Sequence, residues 1–299
     1  TLDSVDLAGT DAGNYTLNYN SGALTTTADI NAKVLTLSSF TADNKTYDAT
    51  TDVTGDGFSD DRLSGDELSF TYDVAFASKV AGSGRTVEYS NITISGGADQ
   101  NNYSLASTTG NTTADIGKAG LTVTGASGVN KVYDSSNAAT VAGATLSGVI
   151  GADDVSLANA TSGTFAQATV GAGIGVTTAM TLSGNDAANY TLTQPTGLTA
   201  AITAKPLTIT GVTAAGKVYD GNTAATLSGG SLVGVVGADT VTITTGSGTF
   251  ASANAGSQAV TASGYAIGGS DAGNYSLSAQ PTVASATITA KPLTISGVS

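Results

Sequence analysis

Along most of the chain, apolar residues alternate with hydroxylated ones. Leu207-Thr-Ile-Thr, Val241-Thr-Ile-Thr and Thr287-Ile-Thr each send every second side chain to one face. That period of two is the signature of a half-buried β-strand, because successive Cβ atoms point to opposite sides of the pleat. No stretch of useful length carries the 3.6-residue stripe of an amphipathic helix. Clusters of Gly, Asn and Asp, such as Gly268-Gly-Ser-Asp-Ala-Gly-Asn274, separate the alternating runs and supply the conformations that turns require. About seven short strands in 86 residues, punctuated in this way, predict an all-β fold built of antiparallel sandwiches.

Landmarks recur along the chain. The tetrapeptide Lys-x-Tyr-Asp falls at residues 45–48, 131–134 and 217–220, so that Tyr47, Tyr133 and Tyr219 are 86 residues apart. A second landmark, Asn-Tyr-(Thr/Ser)-Leu, centres on Tyr15, Tyr103, Tyr190 and Tyr275, with spacings of 88, 87 and 85. Junctions repeat as well: Asn31-Ala-Lys-Val-Leu, Gly117-Lys-Ala-Gly-Leu, Ala204-Lys-Pro-Leu and Ala290-Lys-Pro-Leu all open a strand. These registers place repeats at 33–117, 118–204 and 205–290, after the C-terminal part of a truncated repeat over 1–32 and before the first strand of a further repeat over 291–299. A period near 86 is too long for a solenoid coil and suits units that each own a core.

The segment Asp271-Ala-Gly-Asn-Tyr275-Ser-Leu277 reappears as Asp11-Ala-Gly-Asn-Tyr15-Thr-Leu17 and, with one change, as Asp186-Ala-Ala-Asn-Tyr190-Thr-Leu192. A tyrosine near the start of a late strand matches the tyrosine corner of Ig-like sandwiches, in which the hydroxyl bonds back to upstream backbone. The expectation is therefore a tandem array of Ig-like sandwiches forming an elongated rod. A β-grasp-like α+β repeat is the structural alternative. Pro206 and Pro292 fix φ at two junctions and bias the preceding lysine to extended geometry, which stiffens them.

Lys217-Val-Tyr-Asp-Gly221-Asn-Thr-Ala-Ala-Thr, a Val-Gly-Ala-Asp239 segment, Asp-Ala-Gly-Asn-Tyr275 and the Ala-Lys-Pro-Leu-Thr junction together resemble the YDG and related MBG repeats. These are glycine-rich modules found in tandem in filamentous-haemagglutinin-like exoproteins and giant bacterial adhesins. The resemblance covers essentially the whole chain and is strongest over 205–290. Tyr133-Asp-Ser and Tyr47-Asp-Ala depart from the signature glycine. What it implies is a structural stalk of a secreted bacterial surface adhesin or biofilm-matrix protein, located at the cell surface or in the extracellular matrix. Its partners are then neighbouring repeats of the same chain, with matrix polysaccharide or host surface engaged through regions outside this sequence. It implies no catalytic residue. The alternative reading is that the repeats themselves bind glycan or matrix polymer.

Composition narrows the chemistry. Histidine and cysteine are both absent, which removes the usual bases, thiolate metal sites and disulfides, so the chain is not expected to be an enzyme and no cofactor is expected. A net charge of −13 repels nucleic acid and anionic membrane surfaces. No apolar run approaches the ~20 residues that cross a bilayer. Tyrosines of the Tyr-Asp pairs are read as core rings rather than sugar platforms, and Asp48, Asp134 and Asp220 as Asx-turn formers. Carboxylates crowd one segment of the first repeat, where Asp52, Asp56, Asp60, Asp61, Asp66 and Glu67 are candidate calcium ligands, hard oxygen donors suiting that ion. Their spacing matches no EF-hand, and the plain alternative is a solvated acidic loop.

Overall fold

A computed structural model describes residues 6–16 and 27–297. Much of the truncated repeat expected over 1–32 thus lies outside the described residues, Leu17 of its landmark included. So do the last two positions of the 291–299 segment. Among the described residues the chain is all-β, and its helical content is four single turns of 3-10 helix. The helix that a β-grasp repeat would need is not among them. The chain divides between Gly117 and Lys118 into two compact units.

The first unit holds one repeat. Its main sheet pairs Ser69–Phe76 with Gly82–Gly96, and Gly82–Gly96 in turn with Gly110–Gly117, all antiparallel. Leu37–Thr41 pairs with Gly57–Asp60. Phe40, Phe58, Phe70, Tyr72 and Tyr89 interlock with ring centroids 4.9 to 5.5 Å apart, giving this repeat an aromatic core. Rings in tilted and edge-on arrangements like these gain somewhat beyond their burial.

The second unit holds two repeats. In the first of them, Ser127–Val129, Ala138–Ala142, Ser162–Phe165, Gly171–Thr178 and Thr199–Thr203 form a continuous antiparallel sheet. Its inward residues Val141, Phe165, Ile174, Val176 and Ile202 are buried, and Val123, Leu157 and Leu192 from the opposing strands pack on them. In the other, Lys205–Ala214 pairs with Leu227–Val233, and Ser247–Phe250 with Val260–Ser263. Inward and outward residues alternate along these strands, as the period-two pattern predicts.

Pairing is not antiparallel throughout, contrary to the sequence expectation. Each repeat has two parallel pairs. Lys33–Leu35, Ala119–Thr124 and Lys205–Ala214 run parallel to the strands that begin at Tyr103, Tyr190 and Tyr275. Lys45–Thr46, Lys131–Val132 and Lys217–Val218 run parallel to each repeat's last strand. Parallel neighbours need a long connection, and nearly a whole repeat supplies it. Alternation along a strand is identical in either orientation, so the sequence pattern is silent on the difference.

Candidate functional site

Two motifs recur with nearly the same geometry in each repeat, and both grow from the tyrosine landmarks. In Lys-x-Tyr-Asp the aspartate closes an Asx turn: the amides of Thr50, Ser136 and Asn222 donate to Asp48, Asp134 and Asp220 at 2.9, 2.9 and 3.1 Å. The lysine folds over the same turn. Its ammonium reaches that aspartate at 2.7 to 2.8 Å and donates to the carbonyls of Thr50, Ser136 and Asn222. It also lies 5.5 to 5.6 Å over the rings of Phe76, Phe165 and Phe250. The hydrogen bond from Lys131 pulls the Asp134 carboxyl down to about 2.

The residue after the aspartate has positive φ in every repeat: 65° at Ala49, 65° at Ser135 and 79° at Gly221. This is the physical content of the signature glycine, since only glycine enters that region without a Cβ penalty. Ser135→Gly and Ala49→Gly should each raise stability by up to about 1 kcal/mol. The chemical-denaturation midpoint reads this out, and a lowered midpoint would mean that contacts of the two side chains outweigh the backbone strain.

The second motif is a clamp. Tyr103, Tyr190 and Tyr275 each donate a phenolic hydrogen bond to a carboxylate 36 or 37 residues upstream: to Asp66 at 2.5 Å, Asp153 at 2.6 Å and Asp239 at 2.6 Å. Each hydroxyl also accepts from the amide three residues before that aspartate, on Leu63, Ile150 and Val236 at 3.0 to 3.1 Å. The expected corner is therefore present with a different partner, a loop carboxylate and its turn. The aspartate that opens the Asn-Tyr landmark closes the loop from the other side, as Asp99, Asp186 and Asp271 accept from the amides of Glu67, Asp154 and Thr240.

In the second unit the two motifs meet and join its repeats. Tyr133, the Tyr-Asp tyrosine of one repeat, donates to Asp239 of the next at 2.8 Å, so Asp239 holds two phenols at once. The rings of Tyr133 and Tyr275 pack edge to face with centroids 5.4 Å apart. Asn274, buried beside Tyr275, accepts from the Val170 amide at 3.1 Å. A single residue, Ala204, separates the last strand of one repeat from the first strand of the next. Leu207 and Tyr275 belong to the same buried cluster as Val141 and Phe165, so one core runs across the joint. Burial, reinforced by the Asp239 carboxylate, pushes the Tyr133 phenol up to about 12.

Four carboxylates of the acidic segment have side-chain partners of their own. Asp60 is nearly buried and makes a two-point ion pair with Arg62, whose hydrogen bonds lower its pKa. Asp61 pairs with Lys33 at 3.0 Å and accepts the Thr36 amide. Asp56 accepts from Tyr72 at 2.8 Å and lifts that phenol to about 12. Asp66 belongs to the clamp, Asp52 offers its carbonyl to Lys45, and Glu67 its amide to Asp99. Among the described residues no three acidic or other metal-ligating side chains gather around a point that could hold an ion. Of the six candidate calcium ligands, Asp60 ends the strand Gly57–Asp60 and the other five lie in the connections around it. Of the core tyrosines expected, Tyr47 and Tyr133 are buried, whereas Tyr219 is 42% exposed.

No local sequence feature marks Asp66, Asp153 and Asp239 as the tyrosines' partners. The signal was a constant separation of 36 or 37 residues between an aspartate and a landmark tyrosine. No curated protein and no solved structure matches the chain. The family model described as YDG domain matches three times in tandem, over residues 31–110, 117–197 and 203–284. With most of its length covered by those matches, and with its Tyr-Asp turn repeated in each, the chain belongs to the YDG domain family.

Proposed function

We propose that these repeats are tension-resisting tether modules of a secreted bacterial surface adhesin or biofilm-matrix protein, and that they perform no catalysis. The observation that carries this reading is the pair of parallel ladders in each repeat. In the repeat that opens at Ala119, the entering strand Ala119–Thr124 lies parallel to Tyr190–Thr193, and the leaving strand Thr199–Thr203 lies parallel to Lys131–Val132. Tension applied through the two chain ends pulls such partners in opposite directions along their own axes. The ladder hydrogen bonds are then loaded together in shear instead of one at a time. Every repeat has this arrangement.

The rest of the chain is consistent with such a role. An acidic, cysteine-free chain stays soluble and needs no oxidative step to fold after export. The adhesive contact to polysaccharide or host surface belongs, in this reading, to regions outside this sequence. Single-molecule pulling through the two termini tests it. Expected are discrete unfolding peaks, each releasing roughly 250–300 Å of chain, the contour of 86 residues at about 3.3–3.6 Å each less the length of the folded repeat. Smooth extension without peaks would remove the mechanical reading.

A further inference from the structure

The Tyr133 joint has an unmatched copy on the last repeat. Tyr219 stands in the same Lys-Val-Tyr-Asp turn as Tyr133, yet it is 42% exposed where Tyr133 is 5% exposed. Ala255, which follows Phe250 as Val170 follows Phe165, is exposed as well. Beyond Ala290 the segment Lys291-Pro-Leu-Thr-Ile295 repeats Lys205-Pro-Leu-Thr-Ile209 letter for letter. Leu207 and Ile209 are buried at 0% and 5%, whereas Leu293 and Ile295 are 91% and 87% exposed. Among the described residues the front half of the joint on the first repeat is only partly covered, by Tyr103's own repeat and by Ile30, Asn31 and Ala32. There Asp66, Asn102 and Tyr103 border a cavity of about 380 Å³ that Leu63 and Lys33 help to line, and Asn102 is exposed where Asn274 is buried.

We infer that the surface of the last repeat around Tyr219 is a docking site for the aspartate–tyrosine front of a further YDG repeat continuing from Lys291. Tyr219 would take the clamp carboxylate as Tyr133 takes Asp239, and the Ala255 amide would take the landmark asparagine as Val170 takes Asn274. Leu293 and Ile295 would enter the new repeat's core. The geometry of the Tyr133–Asp239–Tyr275 joint is the template, and the identity of the 205–209 and 291–295 segments selects this occupant over an unrelated protein. The inference stands apart from the mechanical reading, because a joint of this kind forms whether or not the chain carries load.

The test extends the full chain. Residues 205–290 are appended after Ala290 in place of 291–299, with Tyr219→Phe in the appended copy so that the resident Tyr219 has a unique peptide. Nitration by tetranitromethane, read by mass spectrometry, reports each phenol. In the parent chain Tyr219 should react readily while Tyr133 resists. In the extended chain the rate at Tyr219 should fall about tenfold or more, since each unit by which a phenol's pKa rises removes a factor of ten in phenolate. Asp239→Ala in the appended copy alone should restore it. Protection of Tyr265 in every copy certifies that the addition has folded, and residues 118–204, which offer Asp153, Asn189 and Tyr190, serve as the appended repeat if it has not. Tyr219 remaining as reactive as in the parent beside a folded neighbour overturns the docking site. Protection that survives Asp239→Ala in the copy overturns the clamp as its cause.

Discussion

Asp239→Ala is expected to lower the stability of the second unit by about 2–4 kcal/mol, the cost of leaving two nearly buried hydroxyls without their charged acceptor. Tyr133 and Tyr275 are each 5% exposed, and both donate to the same carboxylate oxygen, at 2.8 and 2.6 Å. Water cannot replace that acceptor fully at so covered a site. Tyr275 keeps the bond it accepts from the Val236 amide, so the turn itself should survive and the loss should fall on the joint.

Asp66→Ala provides the comparison. Asp66 holds Tyr103 alone among the phenols described, and its removal should cost roughly half as much. Urea or guanidinium unfolding of the two variants decides the matter. A double-mutant cycle of Tyr133→Phe with Asp239→Ala should give a coupling of at least about 0.5 kcal/mol, because the two residues share one hydrogen bond. Equal losses for Asp66→Ala and Asp239→Ala, with no coupling to Tyr133, would mean that Asp239 serves only its own repeat.

Much of this architecture is legible in the sequence because its causes are local. Alternation such as Leu207-Thr-Ile-Thr reports a strand with one buried face, and Leu207 and Ile209 are indeed buried. Asp48, Asp134 and Asp220 form Asx turns because an aspartate can reach the amide two residues on in almost any context. What stays hidden depends on distance along the chain. Nothing near Tyr275 announces that its acceptor is 36 residues upstream, or that a tyrosine 106 residues from Asp239 shares it. Likewise, carboxylate density between Asp52 and Glu67 reads either as calcium ligands or as a solvated loop, and nothing local announces that Lys33, Arg62, Tyr72 and Tyr103 each engage one of these acids. Tyr219 repeats the residues around Tyr133, and only the neighbouring repeat makes one buried and the other exposed.

Gly269→Ala should strongly destabilise the last repeat, costing about 3–5 kcal/mol through backbone overlap and a forbidden φ together. Gly269 has φ of +106°, and a Cβ there would lie 2.4 Å from the Thr240 carbonyl oxygen. Gly97 and Gly184 repeat the arrangement, with Cβ positions 2.0 and 2.2 Å from the carbonyls of Glu67 and Asp154. The closeness is enforced. Asp271 accepts the Thr240 amide at 2.8 Å and returns its own amide to the Thr240 carbonyl at 3.2 Å, drawing the two loops together. Relieving the overlap means breaking that pair, and the loop it secures carries Asp239 on one side and leads to Tyr275 on the other. The clamp and the Tyr133 joint should loosen with it, raising hydrogen exchange at Val236 and Val170 as well as at Thr240. Gly273→Ala, four residues away, is the control. A Cβ on Gly273 would meet nothing within 4 Å, and its φ is not positive. The preceding repeat already has alanine at the matching Ala188, so the change should stay within about 0.5 kcal/mol. If the two alanines prove equally tolerated, the close approach at Thr240 is not what holds the loop, and the recurrence of glycine at 97, 184 and 269 needs another cause.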